Sequence, residues 1–199
     1  VEAAEPWRID AAALDAALRR EAPALAFLCT PNNPTGATLE DGAVEALVAG
    51  HPGTLFLVDE ALIDPSTPGV IGLVARYGNV AVLRTFSKYF GLAGYRVGYA
   101  VAPPRLVEMA EIGRPPFNVA QASAAAALAA LDDTAFLARC RETFAREAAY
   151  FTEAVERIGG CRVRGRYSNM LLLQLERMTS PACVEALAAR GLLVADGKS

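Results

Sequence analysis

The sequence predicts an α/β fold: a mostly parallel sheet with helices on both faces, followed by part of a small α/β C-terminal domain. Three observations carry this reading. Short runs of continuous hydrophobicity, ALAFLC, TLFLVD, VAVLRT and VGYAVA, have the pattern of strands buried on both sides. Segments with helical spacing of apolar residues alternate with the first three runs, as crossover connections in a parallel sheet require. After Pro103 the character changes to alanine-rich and long amphipathic helices, which belong to a different layer.

Taken in order, Asp10 is placed to cap a helix over AAALDAALRREA that stops before Pro23. The strand at 24–29 follows, and TPNNPTG (30–36) is a turn by composition. Thr38 is expected to cap the next helix, in which Val44, Leu47 and Val48 recur at helical spacing. Strands at 54–59, 80–85 and 97–102 flank a short helix at VIGLVARYG. Beyond Pro103, PPRLVEMAEI reads as helix, RPPFNV as a rigid break, and AQASAAAALAALDD as a second helix. A long helix then runs from Thr134 to Ile158, with Phe136, Leu137, Phe144, Ala148, Phe151 and Val155 on a core-facing side. The remainder reads strand, strand, helix, strand. The domain change is placed along the long helix, giving 1–133 as the large domain and 134–199 as the C-terminal part.

Composition narrows the function. In 199 residues the net charge is −3 and the pI about 5.3, with no run of Lys or Arg, so neither nucleic acid nor an anionic membrane is an expected partner. Cys29, Cys140, Cys161 and Cys183 lack the spacing of a zinc site or disulfide framework, and no metal is expected. VEAAEPWRID has no signal-peptide pattern, so a reducing cytoplasm is the expected location. His51, in a turn, is assigned no chemical role.

Three unusual segments fall at the carboxyl ends of consecutive strands, where α/β sheets bind ligands. They deliver Asn33 in TPNNPTG, Asp59 in DEALID and Lys88 in TFSK. A desolvated lysine is a nucleophile for carbonyl carbon. If that carbon is the aldehyde of pyridoxal phosphate, an acid must face the pyridine nitrogen, and Asp59 suits that task. Thr85 and Ser87 supply hydroxyls for the phosphate and Arg96 a guanidinium that grips it bidentately. Arg96 has a second reading, as the partner of a buried carboxylate. Glu60 is read as structural.

The ordered set PNNPTG, VDEA and TFSKYFGLAGYRVGY resembles the fold-type I pyridoxal-phosphate aminotransferases. IGRPPFNVAQASAAAALAAL resembles their histidinol-phosphate aminotransferase branch. The resemblance implies Lys88 as the lysine that binds the cofactor covalently and moves the substrate proton. It implies Asp59 as pyridinium partner, Asn33 as donor to the cofactor's ring oxygen, and Thr85, Ser87 and Arg96 as phosphate ligands. It further implies transfer of an amino group between histidinol phosphate, or a related amino acid or amine, and the 2-oxo acid 2-oxoglutarate, in a homodimer with interfacial sites.

Two departures from the family pattern stand out. Leu62 occupies the position where the family usually has a tyrosine whose phenol also donates to the ring oxygen. The family's chains are nearly twice as long; this one begins after their glycine-rich phosphate turn and stops before the arginine that binds the substrate carboxylate. Two further readings follow: a threonine-phosphate decarboxylase of cobalamin biosynthesis, which shares these motifs and often lacks that tyrosine, and a truncated, noncatalytic homologue.

Overall fold

The computed structural model describes residues 8–40 and 42–197. Asp10 caps the first helix as predicted, its Oδ1 accepting from the amides of Ala12 and Ala13 at 2.9 and 3.1 Å. Helix α1 spans Ala11–Glu21 and closes at Ala22 in the left-handed conformation. β1 (Leu25–Cys29) follows and runs into the TPNNPTG loop. Thr38 does not cap the next helix. α2 begins later, at Ala43–Gly50, behind Gly42, which has φ +77° and offers no side chain to the helix end.

β2 (Leu55–Asp59), a 3₁₀ turn at Ile71–Ala75, β3 (Val80–Thr85) and β4 (Gly98–Val101) complete the first sheet in the spatial order β1-β2-β3-β4. The first three strands are parallel and β4 is antiparallel to β3. The direction of β4 follows from its connection: only a loop with one 3₁₀ turn at Ala93–Tyr95 separates it from β3, and a parallel return needs a crossover.

The main core lies on one face of this sheet. Alternate strand residues Leu28, Phe56, Val58, Val80 and Val82 meet Leu18 of α1, Val44, Leu47 and Val48 of α2, and Leu73. On the other face Phe27 of β1 is 57% exposed. Strand alternation puts Cys29, Leu57 and Asp59 on this second face, with the carboxyl ends of β1 to β3 opening beside it.

The rest of the chain forms α3 (Pro104–Gly113), α4 (Gln121–Asp132), α5 (Thr134–Ile158), the antiparallel pair β5 (Cys161–Tyr167) and β6 (Met170–Leu175), and α6 (Ser180–Ala188). α5 has the predicted bounds, and its N-cap Asp133 accepts from the Phe136 amide at 2.8 Å. Its apolar face is only partly core. Leu137 packs with Phe86, Phe90, Val97 and Ala127, and Phe144 lies edge-on to Tyr89, whereas half of Phe151 is exposed. The expected last strand does not form: residues 192–196 have no partner strand among the described residues, and an isolated strand leaves its backbone groups unpaired. No helix in the described residues is long and apolar enough to cross a membrane.

Each loop that carries a predicted site residue also touches the C-terminal part. Thr35 and Gly36 lie against β5 so closely that a Cβ on Gly165 would overlap the Thr35 carbonyl. Asp64, after β2, pairs with Arg141 of α5 at 3.3 Å. Tyr89, after β3, meets Phe144.

The Asp64 link makes the molecule acid-sensitive. Burial pushes this carboxyl up, but the Ser66 amide and hydroxyl and the Arg141 guanidinium outweigh it and hold the group below the ordinary 3.8. Arg19 and then His51 lower Asp15, and Arg76 and then Tyr77 lower Glu45. All three are more acidic folded than unfolded, so their stabilisation is complete above the unfolded values and is lost as pH falls through the folded ones. Thermal melts are expected to give a steady midpoint above about pH 5 and a falling one below about pH 4. Asp64→Asn should reduce that acid-side fall; an unchanged slope would remove the Asp64–Arg141 link as a contributor.

Candidate active site

Parallel pairing sets the carboxyl ends of β1, β2 and β3 side by side at about 4.8 Å per strand. Cys29 stands opposite Asp59, and Asp59 opposite Leu83, two residues before Thr85. The Cys29 thiol donates to the Pro31 carbonyl at 3.4 Å, so the proline-rich turn folds back onto the end of β1. Burial raises the Cys29 thiol above its usual range, and the Asn33 backbone opposes the rise. The Asn33 side chain itself is exposed.

Asp59 is partly buried, and its Oδ1 accepts from the Ala61 amide at 2.8 Å. Oδ2 accepts from no group among the described residues, and so presents an unsatisfied carboxylate oxygen at the mouth of the sheet. Thr85 and Ser87 are joined: the Thr85 hydroxyl donates to Ser87 Oγ at 2.9 Å and accepts from the Ser87 amide at 3.0 Å. This local turn orients two hydroxyls and one backbone amide where the chain leaves β3.

Lys88 follows in a tight turn closed by the Gly91 amide bonding to the Lys88 carbonyl at 3.0 Å, in a segment whose Phe86 and Tyr89 are both buried. Phe86 in turn packs on Phe90 with ring centroids 4.7 Å apart. Lys88 is one of only two lysines in the chain, the other being Lys198. Arg96 occupies the left-handed conformation at φ +51°, two residues before Gly98, the β4 partner of Thr85. Its side chain is exposed and donates from Nη1 to the Ala93 carbonyl at 2.8 Å. No hydrogen bond or ion pair links Lys88 to Asp59, or Arg96 to Thr85 or Ser87, among the described residues.

A cleft beside β3 is lined by Glu60, Ala61, Arg84, Thr85, Tyr89 and Tyr99 among others; of the predicted site residues only Thr85 lines it. Burial raises the phenol of Tyr89 and that of Tyr167, with Asp64 adding to both. The Ser168 hydroxyl, in the β5–β6 turn, acts on Tyr89 in the opposite sense. Leu62 is buried, so the position holds an apolar side chain and no phenol.

Sequence reasoning read Glu60 as structural but missed its partner, Arg84, and both side chains line this cleft. Arg96, also read as the partner of a buried carboxylate, pairs with none among the described residues. Arg84 Nε and Nη2 donate to Glu60 Oε2 at 2.9 and 2.8 Å, with the two side chains 8% and 2% exposed. The signal was present in the sequence: opposite charges directly after Asp59 and directly before Thr85, each abutting an apolar strand.

The arrangement suits an anionic, ring-bearing cofactor with an aldehyde. It has a lysine in a strand-end loop, a carboxylate oxygen in want of a donor, and hydroxyls at a strand end. Comparison with known proteins agrees. The family profile of aminotransferase class I and II matches residues 1–199. A histidinol-phosphate aminotransferase of Erythrobacter litoralis is 39% identical over 176 residues, 84% of this chain and 48% of the relative. The solved histidinol-phosphate aminotransferase of Sinorhizobium meliloti, in complex with pyridoxal-5'-phosphate, superimposes with a TM-score of 0.89 at 27% identity, covering 98% of this chain and 54% of that one. L-threonine-O-3-phosphate decarboxylase of Porphyromonas gingivalis gives 0.74 at 27% identity, over 86% of this chain and 54% of that one. The chain spans about half the length of the curated relatives it matches.

Proposed function

The chain belongs to the class I and II aminotransferases, and from that premise we propose that it carries the cofactor half of a pyridoxal-phosphate-dependent aminotransferase whose amino donor is histidinol phosphate and whose acceptor is 2-oxoglutarate. The observation that carries the reading is the unsatisfied Asp59 oxygen at the end of β2, flanked by the segments bearing Asn33 and Lys88. The names of the curated relatives support the choice of donor.

Pyridoxal phosphate, when bound, supplies an electron sink that stabilises negative charge at a substrate's α-carbon. On this reading Asp59 would keep a proton on the ring nitrogen. Asn33 would donate to the ring oxygen from its side-chain amide, without a second donor at Leu62. Thr85, Ser87 and Arg96 would hold the phosphate, the two hydroxyls already oriented by their mutual bond. Lys88 would hold the cofactor through Nζ and would serve as general base for the proton on the substrate's α-carbon. The division at 133/134 would separate this cofactor-holding part from the part that bears on its loops.

A homodimer is part of the same proposal. α3 and the segment after it expose Ile112 and Phe117, the latter 98% accessible, and α4 exposes Leu128. Sedimentation should therefore show a species of twice the chain mass, and a monomer alone would sink the dimer. A cytoplasmic location fits the reading.

Leu62 favours a second reading, the threonine-phosphate decarboxylase. The two lysines permit one direct test of both. After incubation with pyridoxal phosphate and borohydride reduction, peptide mapping should find the label on Lys88 and not Lys198, and none at all in Lys88→Ala. Absence of label on Lys88 would sink both enzymatic readings and favour the noncatalytic one. With label present, product formation that depends on a 2-oxo acid selects the aminotransferase, and carbon dioxide release without one selects the decarboxylase.

A further inference from the structure

We propose that Glu60 and Arg84 form a positioning pair that sets Asp59 and the Lys88 segment at a fixed spacing, an inference that rests on the cofactor reading of those two residues. Parallel pairing of β2 and β3 ends with the Glu60 amide bonding to the Leu83 carbonyl at 2.9 Å. Past that bond the β2 chain leaves the sheet toward Ala61, while β3 runs on to Thr85 paired with β4 alone. The Glu60–Arg84 pair is the tie across this point, and its two members adjoin Asp59 and Thr85 in sequence.

The pair reaches further than two strands. Glu60 Oε1 accepts from the Val70 amide at 2.7 Å, and Arg84 Nη2 also donates to the carbonyls of Pro68 and Thr67 at 2.8 and 3.2 Å. The 67–70 segment is thus clamped onto the pair. Gly69 sits within it at φ +56°, where a Cβ would strike the Glu60 carboxylate, so the backbone closes over the charge as tightly as a chain can. Anchoring Glu60 also fixes the direction of the next peptide, and the Ala61 amide orients Asp59 through Oδ1. On the other strand, anchoring Arg84 fixes the start of the Thr85–Ser87 turn from which Lys88 projects. A buried ion pair is often replaceable by apolar residues with no loss of stability. Its use here is therefore placement, with two guanidinium donors converging on one carboxylate oxygen in a geometry that apolar packing does not reproduce.

The test separates placement from stability. Glu60→Met/Arg84→Met removes both charges together, and Arg84→Lys keeps the charge but loses the fork. Each is compared with the unaltered chain by thermal melting, by hydrogen exchange of the peptides covering 59–62 and 85–92, and by borohydride labelling of Lys88 against pyridoxal phosphate concentration. In folded variants, exchange in both peptides should quicken at least about tenfold, and the concentration for half-labelling should rise at least about tenfold, the scale expected for misplaced reacting groups. A folded variant with unaltered exchange and labelling overturns the proposal. So does failure of both variants to fold, which would make the pair a requirement of folding itself. If the unaltered chain takes no label, the cofactor reading fails separately, and the exchange rates still decide whether the pair holds the two segments.

Discussion

Asparagine in place of Asp59 is expected to slow removal of the α-proton from a bound amino acid by roughly 10²–10³-fold, the usual cost of losing one preorganised electrostatic partner. The substitution is nearly isosteric. Its amide oxygen can still accept from the Ala61 amide, which now meets Oδ1 at 2.8 Å, so the chain at the end of β2 keeps its course. What disappears is the negative charge that, on the proposed reading, would hold a proton on the cofactor's ring nitrogen. Borohydride should therefore still fix pyridoxal phosphate to Lys88, while exchange of the amino acid's α-hydrogen for deuterium becomes slow. An unchanged exchange rate would show that Asp59 does not govern the ring proton. Loss of labelling would assign it to binding instead.

Glu60→Ala is expected to cost about 3–5 kcal/mol of folding stability, the range for breaking a buried pair by removing one partner. The size follows from what is left behind. Arg84, with a side chain 8% exposed, keeps its charge and loses the carboxylate that took two of its bonds, and the Val70 amide loses its acceptor. The Pro68 and Thr67 carbonyls can still accept from the guanidinium but cannot neutralise it. Urea denaturation should show a lower midpoint. Removal of Glu45, whose pair with Arg76 lies in solvent, should move the midpoint far less. Equal effects at the two sites would contradict the burial argument.

Much of this architecture is local and was legible in the sequence. Asp10 caps α1 because a short carboxylate reaches the first free amides of a helix, and Asp133 does the same for α5. The first three strands follow from apolar runs of the right length, and the site segments from the loops at their carboxyl ends. Failures began where a contact with a distant element made the decision. Residues 192–196 have a strand's composition without a partner.

By itself, then, the sequence determined the helices, the strands, and the order in which Asn33, Asp59 and Lys88 emerge from them, since caps, periodicity and chain order depend on neighbours within a few residues. Only the tertiary structure decided that Arg84, rather than Arg96, meets the buried carboxylate. Glu60 and Arg84 are 24 positions apart in sequence. They meet because the register of β2 against β3 places their side chains together where water is excluded, and the register of two strands is a property of the whole sheet.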